Sequence, residues 1–242
     1  MVGRFPLLAL LALASLPAPS RAAPPATRNY SVPSFDRIRI DGPYKVELHT
    51  NVSPYAKATG APLSLDGLSV AVEGRTLVVR KGSGGWGGYD GENRGPVTIE
   101  VGTPGLNTAW INGAGALTID RVKGLSFDLA IQGAGLAKFD SVDVDQLKVG
   151  VTGAGIVRLS GRALRLTATI RGTSSFEGDD LQVKDAVIGA EGPAIVKANV
   201  GNSAKVDALG LASVTLTGNP ACTVKAQGSA TVSGCKDGGS GY

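Results

Sequence analysis

The sequence predicts an all-β protein, a parallel β-helix (solenoid) built from glycine-cornered repeats of 18–20 residues. Three observations carry this. A corner motif recurs seven times, most plainly as INGAGALTID, IQGAGLAKFD and VTGAGIVRLS, with corner glycines Gly113, Gly133, Gly153, Gly172, Gly192, Gly210 and Gly228. Equivalent positions share one physical character: two before the glycine stand Ile111, Ile131, Val151, Ile170, Ala190, Ala208 and Ala226, and four after it Leu117, Ala137, Val157, Phe176, Val196, Val214 and Val232. Polar or small residues lie between these columns, which is the alternation of strands with one wet face. A repeat of this length buries its apolar face only by stacking on a neighbour.

Each repeat is read as two short strands joined by a tight corner. Glycine suits the corner because the backbone there must take positive φ or admit another backbone closely. The position seven after each glycine, held by residues such as Asp120, Asp140, Asp179 and Asn199, favours turns. Equivalent strands run the same way in every coil, so the stacking is parallel, and most parallel crossovers are right-handed. A sandwich is the rival, but its strands would alternate direction and lose the fixed spacing.

The other elements follow in chain order. Residues 1–22, with Arg4 ahead of the apolar run LLALLALASL and small residues near Ala22 and Ala23, read as a secretory signal peptide. Residues 23–33 read as a flexible Pro-rich lead, 34–236 as a single solenoid domain, and 237–242 as a flexible tail. FDRIRIDGPYKVELHT repeats the pattern around Gly42 and starts the first coil. LSVAVEGRTLVVRK and PVTIEV supply further strands at looser spacing. Between them residues 81–96 read as an exposed Gly-rich loop.

Composition sets bounds on function. The chain has 242 residues, 35 of them Gly, and a net charge of +4. Loss of Arg4 and Arg21 with the signal peptide would leave 4 − 2 = +2, too weak a charge to suggest nucleic acid. Lys138, Arg158 and Lys197 share a column but Glu177 interrupts it, so a solvated face is expected. The run at residues 7–16 is short for a membrane span, and no integral span is expected elsewhere. No cysteine near the cleavage site suggests a lipid anchor. The location expected is extracytoplasmic, periplasmic or secreted. Cys222 and Cys235 fall in the last repeat, where oxidising conditions permit a disulfide that clips the final coil. Their spacing fits neither CxxC nor a zinc site, so no metal is expected.

Candidate ligand contacts are Trp86, Tyr89 and Trp110. The first two could stack on sugars or simply pin the Gly-rich loop. Trp110 stands on the outward face above the small residues Ala130, Gly150 and Thr169. It could bind a flat ligand there or be covered by the N-terminal half. Chemistry is harder to find. Asp120 and Asp140 could lie about 5 Å apart on neighbouring rungs, but a turn ladder explains them more simply. Asp179 and Asp180 are adjacent in a strand and would point to opposite faces. His49 is the lone histidine. No nucleotide-binding loop, HExxH or calcium repeat is present, and no catalytic residue or cofactor is assigned.

From Phe35 to about Cys235 the chain resembles the family named putative autotransporter adhesin, head GIN domain, through FDRIRIDGPYKVELHT and the NGAG, QGAG and TGAG corners. The resemblance implies a β-helical, exported protein, with adhesion suggested by the family's name. Only KDGGSGY follows Cys235, so no membrane barrel is expected to carry the chain outward. The functional expectation is a non-enzymatic interaction or scaffold module for a glycan or envelope protein. The alternative is a carbohydrate-active enzyme with a groove near Trp110, Trp86, Asp120 and Asp140.

Overall fold

The computed structural model describes residues 24–82 and 96–236. The N-terminal elements are β1 (Ala26–Tyr30), β2 (Arg37–Asp41), β3 (Lys45–Thr50), β4 (Tyr55–Gly60), the short α1 (Pro62–Asp66), β5 (Leu68–Glu73), β6 (Thr76–Lys81) and β7 (Thr98–Thr103). The coils then follow as β8 (Thr108–Gly113), β9 (Ala116–Ile119), β10 (Val122–Gly133), β11 (Leu136–Gly153), β12 (Ile156–Gly172), β13 (Ser175–Glu191) and β14 (Ile195–Gly210). The stack ends with β15 (Ser213–Thr217), β16 (Ala221–Gly228) and β17 (Thr231–Ser233), of which β16 and β17 form the last rung.

From β8 onward the chain is a parallel β-solenoid of about six turns. Successive coils pair in register, with Gly133 opposite Gly153, Ile156 opposite Ser175 and Ser213 opposite Thr231, offsets of 20, 19 and 18 residues. The two apolar columns fill the interior: from Ile111 to Ala208 and from Leu117 to Val214 every member is buried. Between Phe127 and Phe139 the rings meet edge to face at 5.3 Å, a geometry that places the positive ring edge on the negative face. The basic column points out as expected, and its interrupting Glu177 accepts from Arg158 Nε at 2.7 Å on the next rung. Exposed pairs of this kind contribute little to stability.

Each coil has three inward-facing runs rather than the two strands expected. In β11 the buried residues are Ala137 and Phe139, then Val142 and Val144, then Leu147, Val149 and Val151. Inside a run the step is two, but from Phe139 to Val142 and from Val144 to Leu147 it is three. Two consecutive residues then face outward, and the chain turns there. The middle run also absorbs the variation in repeat length. The register irregularities between Phe139 and Val142, Arg158 and Gly161, and Gly178 and Gln182 fall on or beside it.

The N-terminal half departs from simple stacking. β2 and β3 do form a coil, but they lie between β6 and β7 on one side and β8 and β9 on the other. Beyond that, strands reverse. β5 runs antiparallel to β6, β4 antiparallel to β7, and β1 antiparallel to β4. The parallel prediction therefore applies to the coils and not to this end. The stretch expected as a flexible lead carries β1, held along its full length by β4 and by Arg28, which donates to Leu65 O and Asp66. Reversed strands cover the edge that a solenoid end would otherwise expose.

One contact at this end is pH-sensitive. The Tyr55 ring lies over Gly102, its antiparallel partner, and its hydroxyl donates to Glu100 Oε1 at 3.0 Å. Burial, then that hydrogen bond and the Glu100 charge, push the Tyr55 hydroxyl up to about 12. The folded state thus favours the protonated phenol. Its stabilising contribution is fully present below the ordinary tyrosine value near 10 and is lost as pH rises through about 12. Thermal melts between pH 9 and about 12 are expected to fall less steeply in Tyr55→Phe than in the parent.

Candidate binding face

One outward face runs the length of the rod. Its middle column, read off the strand pairings, is Arg39, Trp110, Ala130, Gly150, Thr169, Gly189, Asp207 and Lys225. All lie on the side of the strands opposite the core, so the interior does not constrain them. Between Trp110 and Asp207 the column holds only small residues, and this leaves a shallow trough. Longer side chains border it, with Asp128 and Lys148 on one flank and Gln132, Arg171 and Glu191 on the other.

Gly150 and Gly189 are the informative members. Neither has positive φ. Apart from its chain neighbours, a Cβ built on Gly150 would come no closer than 4.0 Å to any described residue (the Leu129 carbonyl), and one on Gly189 no closer than 3.9 Å. Nothing within the fold requires glycine at either place. A glycine inside a strand weakens it, and its usual compensation is close approach by a ligand or another backbone.

A hollow opens at each end of the trough. At the Trp110 end a cavity of about 520 Å³ is lined by Arg39, Glu73, Val78, Trp110, Asn112 and Gln132. Trp110 is half-buried there. Glu73, Thr76 and Val78 of the N-terminal strands line this hollow beside the ring, so the N-terminal half covers it in part. Asn112 is held by donation to Asp41 Oδ1 at 2.6 Å, and Asp41 also accepts from Arg39 Nε at 3.0 Å. The second cavity, about 310 Å³, is bounded by Arg171, Glu191, Asp207, Leu209, Lys225 and Gln227, with Arg171 and Glu191 paired at 3.0 Å. Amide, carboxylate and guanidinium groups around an aromatic ring suit a polyhydroxylated chain. Trp86 and Tyr89 lie outside the described residues.

The carboxylates expected as a candidate pair are engaged separately. Asp120 accepts the backbone N–H of Thr50 at 3.1 Å and lies 3.3 Å from His49 Nδ1, while Asp140 pairs with Lys138 at 3.0 Å. Neither lines the Trp110 cavity. The structure therefore does not assemble Trp110, Asp120 and Asp140 into one groove. Asp179 and Asp180 are both exposed. Among the described residues no group of three or more His, Cys, Asp or Glu side chains is placed to hold a metal ion, and no helix is long and apolar enough to cross a membrane.

The seven repeat glycines all have positive φ, from 77° at Gly228 to 119° at Gly153. Cys222 and Cys235 form a disulfide with a Cα–Cα distance of 5.7 Å. The trough itself was not found from sequence beyond Trp110 and the first three small residues below it. Gly189, Asp207 and Lys225 continue the column, and the fixed repeat spacing was the signal that could have reached them.

No curated protein matches the chain. Solved structures share its fold, three of which follow. A "putative adhesin" from Bacteroides fragilis NCTC 9343 is 20% identical with a TM-score of 0.79, covering 86% of this chain and 96% of that one. A "putative lipid binding protein" from Parabacteroides distasonis ATCC 8503 is 18% identical with a TM-score of 0.68, covering 86% and 95%. A "putative adhesin" from Parabacteroides merdae ATCC 43184 is 14% identical with a TM-score of 0.64, over the same 86% and 95%. Residues 34–220, more than half of the chain, match the family described as "Putative auto-transporter adhesin, head GIN domain", and the chain belongs to that family.

Proposed function

We propose that the protein is an exported, non-enzymatic binding module whose outer trough holds an extended glycan of the cell envelope. The observation that carries this is the pair Gly150 and Gly189, which keep the trough open where the fold itself has room for a side chain. Trp110 would stack on a sugar ring, with Asn112, Gln132 and Arg39 donating to its hydroxyls. Export is supported by the apolar N-terminal run and by the Cys222–Cys235 disulfide, which suits an oxidising compartment. On the same reading residues 1–22 are removed, the solenoid domain spans 34–236, and the coil is right-handed with the seven glycines at its corners. Their positive φ supports that last assignment.

The test is retention of residues 24–242 on fractionated envelope glycans. Saturable binding to a glycan fraction is expected, and it should be lost in Trp110→Ala and in Gly150→Leu while both variants still fold and melt cooperatively. Retention by no glycan fraction, or binding indifferent to both substitutions, would overturn the assignment. Release of new reducing ends from a bound polysaccharide would replace it with a carbohydrate-active enzyme.

A further inference from the structure

Among the described residues the interior columns are covered at one end of the rod and open at the other. In the last rung Val224 and Val232 are only half-buried and Ala226 is exposed. One rung inside, their equivalents Val206, Val214 and Ala208 are 0%, 1% and 2% exposed. β16 pairs with β14 along one edge and β17 with β15. Among the described residues no strand pairs with their other edges. The Cys222–Cys235 disulfide, and the bond from Lys236 N–H to the Pro220 carbonyl, close this coil within its own plane. They lay nothing across it. At the opposite end the reversed strands β5, β4 and β1 bury Leu65 and Leu68.

We propose that the open rung is an interface with a second copy of this chain, in which β16 pairs antiparallel with its symmetry mate about Val224. An unpaired strand edge over half-covered apolar side chains is a template for another strand. The sequence of β16, ACTVKAQG, is self-complementary about that centre. Antiparallel pairing there sets Val224 against itself and Cys222 against Ala226 of the second copy. Every inward pair is then apolar and continues the interior of the rod. Outside, Lys225 faces Thr223, so no like charges oppose each other. Centring on Lys225 would put two lysines face to face, which is unfavourable. Centring on Thr223 would set Pro220, which has no N–H to give, opposite Ala226 inside the ladder, whereas centring on Val224 leaves it opposite Gly228 at the ladder's end. A one-residue slip would set inward residues against outward ones. Among the described residues only one end of the rod is open, so the contact is isologous and closes at two copies rather than growing into a filament.

Sedimentation equilibrium of residues 24–242 tests this. A reversible dimer is expected. Ala226→Asp replaces an exposed residue, so the monomer should fold and melt normally while the dimer is lost. Thr223→Asp creates two symmetric pairs with Lys225 of the other copy and should tighten association severalfold, whereas Thr223→Lys should loosen it by a similar factor. A protein that stays monomeric at concentrations on the order of 0.5 mM, or a dimer indifferent to all three substitutions, would overturn the proposal. A monomer that dimerises only after deletion of residues 237–242 would overturn it too, and would name the chain's own tail as the cover.

Discussion

Val157→Asp is expected to abolish folding of the coils around it, while Lys138→Asp one rung away leaves the melting temperature nearly unchanged. Val157 is 0% exposed and stacks in register between Ala137 and Phe176, both also 0% exposed. Replacing it forfeits about 1.5–3 kcal/mol of side-chain burial. The new carboxylate also has no hydrogen-bond partner inside, so it must be buried charged or take up a proton, and either adds further cost. The sum is on the order of 5 kcal/mol, against a total stability of roughly 5–15 kcal/mol for a domain. Rungs support only their neighbours, so damage in the middle of the stack uncouples the two halves of the rod. Lys138 points outward, pairs with Asp140 at 3.0 Å and lies between Thr118 and Arg158 in the ladder. Losing that exposed pair is expected to change stability by less than about 0.5 kcal/mol. Melts of the two variants side by side check this. Equal losses would mean that the assigned inward and outward faces are wrong.

Gly153→Ala and Gly150→Ala are expected to shift stability in opposite directions, though only two residues separate them. Gly153 has φ of +119°, outside what an alanine adopts at low cost, and a Cβ there would stand 2.6 Å from the Gly133 carbonyl oxygen on the rung below. That oxygen is already the acceptor for the Ala154 N–H at 2.9 Å. Moving it away strains the ladder, and backbone strain plus the clash is expected to cost on the order of 3 kcal/mol. The melting temperature should fall by about 6–12 °C. Gly150 sits in an extended strand with open space outward. An alanine there restricts the unfolded chain and should stabilise by about 0.4–1 kcal/mol. Calorimetry on the pair separates a glycine that the coil needs from one that the surface keeps.

The difference between these two glycines also marks how far sequence could be read. The period, the two apolar columns and the inward-pointing residues that flank each repeat glycine were legible. So was the pairing of Cys222 with Cys235, since both fall in one repeat. The third inward run was not. Val142 and Val144 alternate as well as the others, but they are offset by steps of three, and the varying length of that side blurs the spacing. The setting of Trp110 was half legible. Its small neighbours follow at fixed intervals, whereas Glu73 and Val78, which complete its cavity, come from strands with no repeat relation to it.

What the sequence determined by itself is the solenoid, because in a coil each residue's tertiary neighbour is its own equivalent about 20 positions away. Local pattern and long-range contact are there the same information. What only the tertiary structure decided is the arrangement at the two ends and on the outer face. β2 stacks on β8 across 71 residues, from Asp41 to Asn112, with four strands and a short helix inserted between their coils. The reversed cap, the open last rung and the trough likewise join segments that no period relates. Outward positions are also free of the packing that imposes a pattern, so their order becomes visible only once the rungs are stacked.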